Sequence, residues 1–365
     1  MLNKRTNAKT NEILDGKRVL IIGGTGSLGQ VLLSRIFDGS VGKAANIVLL
    51  SRDEEKQHRL RTQYRHEHTA TQDIGYQNAE NLLEFRIGDV RDLYSVSAAL
   101  RDIDVVINAA ALKQVPACEY FPYEAVMTNV QGAENIVRAL REFKLPVETV
   151  VGISTDKAVN PVSVMGMTKA IQERIFTRAS LDIPETRFIV VRYGNVLASR
   201  GSVIPLFFDQ IRKGGPITVT HQDMTRFLLS LHDAVDIIFD ALRDANTSET
   251  YVPRLRGARI ADVARAMIND RPIKTVFTGI RPGEKLHEVL VSEEESHRTI
   301  EQGRYFVISP ILPELRSSAA GKLALSGEYN SKTDLMSAES VRDLLIRSDL
   351  IADQPELTLA GELLR

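Results

Sequence analysis

Cysteine is nearly absent: Cys118 stands alone in 365 residues. It has no partner for an internal disulfide, and this usage suits a reducing, cytoplasmic setting. No apolar run reaches the roughly 18 residues that a membrane-spanning helix needs. The opening residues, MLNKRTNAKTNEILDG, contain no apolar core of the kind a signal peptide carries. Net charge is also missing, since 46 Lys and Arg face 47 Asp and Glu. That balance leaves no field for wrapping nucleic acid. Histidines are few, and His66 and His68 have no Cys or acidic partner at ligand spacing, so no metal site is expected. What remains is ordinary for a soluble enzyme: 43% hydrophobic and 25% charged residues, in a chain long enough for one large domain or two modest ones.

Apolar runs alternate with helical spacing along the first half. KRVLIIGG (17–24), NIVLLSR (46–52), LEFRIGDVRD (83–92), DVVINAAA (104–111), ETVVGIST (148–155) and RFIVVRYGNV (187–196) read as strands. Helical spacing appears between them at 27–37, 93–101 and 122–143. Alternation of this kind predicts an α/β fold, a Rossmann-type doubly wound parallel sheet with helices on both faces. After residue 196 the elements shorten and Gly/Pro clusters appear at RKGGPI (212–217) and GIRPGEK (279–285). The expected organisation is a polar tail over 1–15, a nucleotide-binding part over 16–196, and a smaller mixed α/β substrate-binding part over 197–345, interleaved with the first. A tail over 346–365 follows. SAESVRDLLIR (337–347) reads as a late amphipathic helix capped by Ser337, and the polar segment 62–81 as a surface loop.

The first strand runs into GGTGSLG, with Gly23, Gly26 and Gly29 three apart. Glycines there allow a tight turn, let backbone N–H groups approach a pyrophosphate and let the helix pack close to the strand. Thr25, Ser27 and Leu28 share that loop and helix start, whose partial positive charge favours phosphate. The second strand ends in Ser51-Arg52, with Lys56 beyond. A carboxylate at this tip suits the ribose 2′-hydroxyl of NAD and an arginine suits a 2′-phosphate, so NADP is expected over NAD. Arg52 and Lys56 could instead belong to a solvated helix start. Asp89, beside Val90, is placed to hold the adenine amino group or to cap a turn. Ala109, Ala110 and Ala111 put small side chains where bulk would meet the cofactor.

ISTDK ends the fifth strand, so Thr155, Asp156 and Lys157 project at the carboxyl edge, where open α/β sheets bind ligands. Lys169 follows twelve residues after Lys157 and can bond a nicotinamide ribose. One helical turn before it stands Met165, which cannot ionise. An acid and a base side by side can serve two parts of one substrate within hydrogen-bond range. Burial and the nearby charge of Lys169 are expected to lower the Lys157 pKa, giving a neutral amine.

GGTGSLG, GDVRD, NAAALKQVPACEYFP, STDKAVNPVSVMGMTK, RYGNVLASRGSVIPLF, MTRF and GIRPGEKLHE, in that order, resemble the extended short-chain dehydrogenase/reductases. More narrowly the chain resembles their UDP-N-acetylglucosamine 4,6-dehydratases of surface-polysaccharide synthesis, over about residues 16–345. The family's usual tyrosine is replaced by Met165, as in some dehydratases of this group. The resemblance implies oxidation at C4, loss of water across C5 and C6, and return of hydride to C6. It implies C6-hydroxyl protonation by Asp156, C5 proton abstraction by Lys157, a hydrogen bond from Thr155 to the C4 oxygen, and Tyr193 beside the cofactor. It implies a UDP-sugar held by Lys113, Asn195, Ser202, Val203, Arg226, Arg281 and Glu284. It also implies a short form without a membrane region, assembled as a homo-oligomer of two or more chains. Two other readings stand beside it: a UDP-sugar 4-epimerase and a non-catalytic NADP-binding regulatory protein.

Overall fold

The structure is a computed structural model and describes residues 12–69, 82–199, 202–316 and 322–351. Its centre is a nine-stranded sheet. Six parallel strands form most of it: β1 (Arg18–Ile22), β2 (Asn46–Ser51), β3 (Leu83–Ile87), β4 (Val105–Asn108), β5 (Thr149–Thr155) and β6 (Arg187–Tyr193). Both faces of the central strands are buried, which is why they read as continuous apolar runs rather than alternating ones. Val19 and Ile21 of β1 join one core with Ile47 and Leu49 of β2 and with Leu32, Leu33 and Ile36 of the helix α1 (Ser27–Phe37). Leu20 and Ile22 point the other way, into a core with Val48 and Leu50 and with Ile136, Leu140 and Phe176. The doubly wound α/β sheet expected from the alternation is present.

Along the sheet the order runs β6, β5, β4, β1, β2, β3. The chain leaves β1 toward β2 and returns to β4 on its other side, so the loops after β1 and β4 diverge. A crevice at the carboxyl ends follows from that reversal. The C-terminal part extends the same sheet. Residues 250–253 pair in parallel with β6, and 305–308 and 299–302 add two antiparallel strands. A separate core, built from Ile204, Phe207, Ile217, Val263, Met267, Val341 and Leu345, sits in this second part. Its last helix, Ala338–Arg347, is capped as expected, with the Ser340 N–H donating to Ser337 Oγ at 3.1 Å.

Three local expectations change. Residues 62–69 are helical, not loop, because Glu54–Thr69 forms one helix. Its stripe is narrow: Leu60 and Tyr64, four residues apart, are buried, and Tyr64 packs edge-on against Phe37 at 5.0 Å. The side chains of His66 and His68 and all of residues 70–81 lie outside the described residues. Leu14 is buried in the first core, so packed structure starts inside the segment read as tail; residues 1–11 and 352–365 are also outside the description. The helix read over 122–143 is interrupted by a π-helical turn at Val126–Gln131. Among the described residues no helix is long and apolar enough to cross a membrane.

A buried ion cluster ties the two parts together. The Arg192 guanidinium, at the end of β6, meets Glu173 at 2.6 Å and Glu295 at 2.8 Å. Burial pushes the Glu295 carboxyl up, but Arg192 outweighs it and holds it down at about 2. Removing the cation would leave two buried carboxylates facing each other. Arg192→Met is therefore expected to lower unfolding free energy by about 3–5 kcal/mol, measured by chemical denaturation.

Candidate active site

A cavity of about 1040 Å³ opens at the carboxyl ends of β1, β4, β5 and β6 and reaches into the C-terminal part. It is large enough for a dinucleotide and a second ligand together. The turn after β1 forms its floor. Gly23 has φ +83°, and a Cβ there would lie 2.8 Å from the Ala110 nitrogen. A Cβ on Gly29 would lie 2.5 Å from the Gly24 Cα. The turn therefore needs glycine at both places, for backbone conformation at one and for helix–loop packing at the other. α1 begins at Gly26 with no side-chain cap on its first N–H groups, and Gly23, Thr25, Gly26, Ser27, Leu28 and Gly29 all line the cavity. Uncapped N–H groups at a helix start, beside a loop that side chains cannot crowd, fit a pyrophosphate. Ala109, Ala110 and Ala111 form the adjacent wall.

Ser51, Arg52, Lys56, Asp89 and Val90 line the far end. Ser51 is buried and its Oγ accepts from Gln57 Nε2 at 3.0 Å. The Arg52 guanidinium is half exposed, 3.7 Å from Asp89. Lys56 bonds Asp53 within its own helix start. Burial pushes the Asp89 carboxyl up, but Arg91, donating from Nε at 2.8 Å, wins and holds it below the usual carboxylate range. Asp89 thus both turns the chain at Arg91 and presents a carboxylate to the cavity.

The chemical edge is built on a turn. β5 ends at Thr155, and Asp156–Ala158 makes one 3₁₀ turn. Thr155 Oγ1 donates to Asp156 Oδ1 at 2.8 Å. Lys157 Nζ lies 2.9 Å from the same oxygen, 3.3 Å from Asn195 Oδ1 and 3.3 Å from Glu288 Oε1. Thr155, Lys157 and Asn195 line the cavity. Asp156 does not: its side chain is fully buried, and its proton connections to the cavity run through Thr155 and Lys157. Burial, opposed by Lys157 and supported by Glu288, raises the Asp156 pKa. For Lys157 the expected depression is corrected: burial pushes its pKa down, but two carboxylates, Asp156 and Glu288, more than offset this and raise it. In the ligand-free protein Lys157 is an ammonium.

Lys169 is the lysine that burial does depress. It sits on the helix Val164–Asp182, whose start is capped by Ser163 Oγ accepting from the Gly166 N–H at 3.2 Å. Its Nζ donates to Gln172 Oε1 at 2.8 Å. Desolvation, only partly opposed by Glu173, brings its pKa down to about 7. One turn earlier Met165 packs with Cys118 and Ala125 and also faces the cavity, so it fills space and carries no proton. Tyr193 is buried against the cavity, and burial pushes its phenol up.

The remaining expected ligands, Lys113, Ser202, Val203, Arg226, Arg281 and Glu284, all reach the cavity. Ser202 Oγ and Glu284 Oε2 are buried polar atoms without a hydrogen-bond partner among the described residues. Arg226 is more constrained than the sequence suggests. Its Nη1 donates to the carbonyls of Thr225 and Leu286, at 2.7 and 3.3 Å, and its Nε is 3.7 Å from Glu288. Two residues escaped the sequence reading. Glu288 closes the motif GIRPGEKLHE but carried no separate signal. Asn129, in the π-helical turn, accepts from Leu112 N at 2.8 Å and donates to Leu112 O and Thr168 Oγ1 at 3.0 and 2.9 Å, which binds the loop after β4 to the Lys169 helix.

Comparison with known proteins follows the same geometry. A family model described as "Polysaccharide biosynthesis protein" matches residues 19–310. A UDP-glucose 4-epimerase of Rickettsia bellii (strain OSU 85-389) is 39% identical over 349 residues, covering 93% of this chain and 98% of its own. A protein of the same name from Rickettsia canadensis (strain McKiel) is 40% identical over the same span, with the same coverage of both chains. Among solved structures, Pen from Bacillus thuringiensis superposes with a TM-score of 0.82 at 34% identity, covering 93% of this chain and 99% of that one. DesIV of Streptomyces venezuelae, a dTDP-glucose 4,6-dehydratase with NAD and TYD bound, shares the fold at 20% identity and a TM-score of 0.61, covering 74% and 86%. The chain belongs to the polysaccharide biosynthesis protein family of extended short-chain dehydrogenase/reductases.

Proposed function

We propose that this protein dehydrates UDP-N-acetylglucosamine to a UDP-4-keto-6-deoxy sugar with NADP as a recycled cofactor. The observation that carries the reading is the hydrogen-bonded run Thr155–Asp156–Lys157 at the cavity wall, combined with a non-ionisable Met165. NADP, bound along Gly23–Gly29 with Arg52 at its 2′-phosphate, would supply the hydride acceptor and later the hydride donor. Lys169 would bond the ribose.

The chain's own groups handle the protons. Thr155 Oγ1 bonds the C4 oxygen and passes the C4 hydroxyl proton to Asp156 Oδ1. A carboxyl whose pKa is raised by burial holds that proton well. The same proton then reaches the leaving C6 hydroxyl through Thr155, so water departs with one substrate proton and Asp156 returns to its starting state. Once Asp156 is protonated, Lys157 faces one carboxylate rather than two and releases its own proton to solvent through the cavity more readily, regaining one from solvent when Asp156 ionises again. As the amine it takes the C5 proton, and as the ammonium it returns a proton to C5. Asn195, Arg226, Arg281 and Glu284 would hold the nucleotide diphosphate and ribose, and Ser202 and Val203 the uracil; an arginine's fork of donors suits phosphate. Lys113 would contact the sugar.

A 4-epimerase is the second reading, favoured by the Rickettsia relatives that carry that name. Epimerisation needs proton transfer at C4 alone and leaves an acid–base pair at C5 and C6 without work. The two readings separate by mass: with UDP-N-acetylglucosamine and NADP, dehydration gives a product lighter by one water, and an epimer has unchanged mass. A product of unchanged mass overturns the dehydratase reading. Lys157→Ala is expected to lower kcat by about 10²–10⁴ while NADP binding persists; full activity in that variant removes Lys157 from the mechanism.

Lys169 gives a prediction independent of substrate. Its folded pKa is about 7, below the ordinary lysine value of 10.5. Between these values the unfolded chain binds the proton and the folded chain does not, so stability rises with pH across that window and the gain is lost as pH falls through 7. Lys169→Met removes this slope. Melting temperatures of ligand-free wild type and variant, taken from pH 6 to 10, are expected to differ in slope, not only in height.

A further inference from the structure

Glu288 is the charged side chain in contact with Lys157 to which no role has been given. It is 1% exposed and lies on the C-terminal part of the chain, across the crevice wall from β5. One oxygen, Oε1, is 3.3 Å from Lys157 Nζ and 3.7 Å from Arg226 Nε. The other, Oε2, is 3.9 Å from Lys285 Nζ and makes no hydrogen bond. Its backbone is fixed, because the Glu288 N–H donates to Ser331 Oγ at 3.0 Å and its carbonyl accepts from the Ser331 N–H at 2.8 Å. The neighbouring His287 points elsewhere, to Thr225 Oγ1 at 2.9 Å.

A bare carboxylate is costly to bury, and this one is paired with the reactive lysine and with Arg226. We propose that Glu288 is a positioning residue for Lys157: it holds the Lys157 amine against the cavity wall beside Asp156 and supplies the fixed countercharge against which Lys157 gains and loses its proton. The charged groups facing this centre are Asp156 and Lys157 from the end of β5, Arg226 from the strand Thr225–Leu229, and Lys285 from the same loop as Glu288. Burial pushes the Glu288 carboxyl up, but these three cations outweigh it and keep it ionised. It therefore stays an anion while Asp156, whose pKa moves the other way, carries the mobile proton. The proposal rests on the reading of Lys157 as the base, and it divides labour between the two carboxylates: Asp156 trades protons and Glu288 does not.

The sign of its removal is clear. Glu288→Gln keeps the shape but takes away one of the two negative charges at Lys157. It also leaves Arg226 and Lys285 facing Lys157 as uncompensated cations, which acts in the same direction. The Lys157 pKa falls.

The test is competitive acylation of the NADP-loaded protein across a pH series, with the Lys157 peptide read by mass spectrometry; only the free amine reacts. In Glu288→Gln the Lys157 midpoint is expected to fall by at least about one pH unit, about a tenfold rise in reactivity at a fixed pH below it. The low-pH limb of kcat is expected to move the same way with KM unchanged. A midpoint equal to wild type overturns the proposal, even if melting temperature or kcat drops, because a purely structural role would not move a titration. If Glu288→Gln does not fold, Glu288→Asp decides, since it keeps the charge but draws it back from Nζ, and a smaller downward shift is expected there. The labelling readout does not depend on turnover. Absence of a dehydrated product from wild type defeats the proposed function, and the Lys157 midpoint still decides the role of Glu288.

Discussion

A single cation held between two buried carboxylates occurs twice among the described residues, and the site depends on both. Arg192, at the end of β6, joins Glu173 of the Lys169 helix to Glu295 of the C-terminal part. Lys157, at the end of β5, joins Asp156 to Glu288. Each cluster spans the seam between the parallel sheet and the segment that covers its edge. Buried ion groups of this kind are poor sources of net stability, but they tolerate few alternative arrangements, because displacing one partner strands a charge in a low-dielectric interior. They fix the C-terminal part over the crevice in one register. None of the three side chains of the first lines the cavity, and Lys157 of the second does.

Burial treats the two active-site lysines in opposite ways for the same reason. Desolvation lowers both. Lys169 has a neutral amide as its hydrogen-bond partner among the described residues and ends near neutrality. Lys157 has two carboxylates and ends more basic than in water. The contrast gives a site with one near-neutral amine and one held cation, and a tyrosine between them would add a third titrating group. Met165 leaves that place to packing. Chemistry confined to proton transfer at C4 makes little use of such a site. Under the proposed function, Thr155, Asp156 and Lys157 together move protons at C4, C5 and C6.

The parallel sheet, the glycine turn after β1 and the carboxyl-edge location of ISTDK were legible because each rests on local pattern: continuous apolar runs, glycines at fixed spacing, a strand ending in polar residues. Every residue assigned to the site lines one cavity except Asp156, which lies just behind it. What was not legible depends on long-range contact. Asp156 beside it gives the larger upward push on the Lys157 pKa, but the second carboxylate, Glu288, stands 131 positions away in the chain, and no property of the STDK stretch reports it. The helix at 54–69 was hidden because, among its described side chains, Leu60 and Tyr64 are the apolar ones that mark its buried side among polar and charged neighbours. The π-helical turn at Val126–Gln131 carries Asn129, which bonds the loop after β4, a tertiary contact with no sequence period.

The central claim is that Lys157 moves a proton at C5 while the C6 hydroxyl leaves. Proton NMR of the protein with NADP and UDP-N-acetylglucosamine in D₂O tests it most directly. The account predicts a new C6 methyl signal with deuterium incorporated at C5. An intact C6 hydroxymethyl group, with conversion to the galacto isomer and no deuterium at C5, would contradict it.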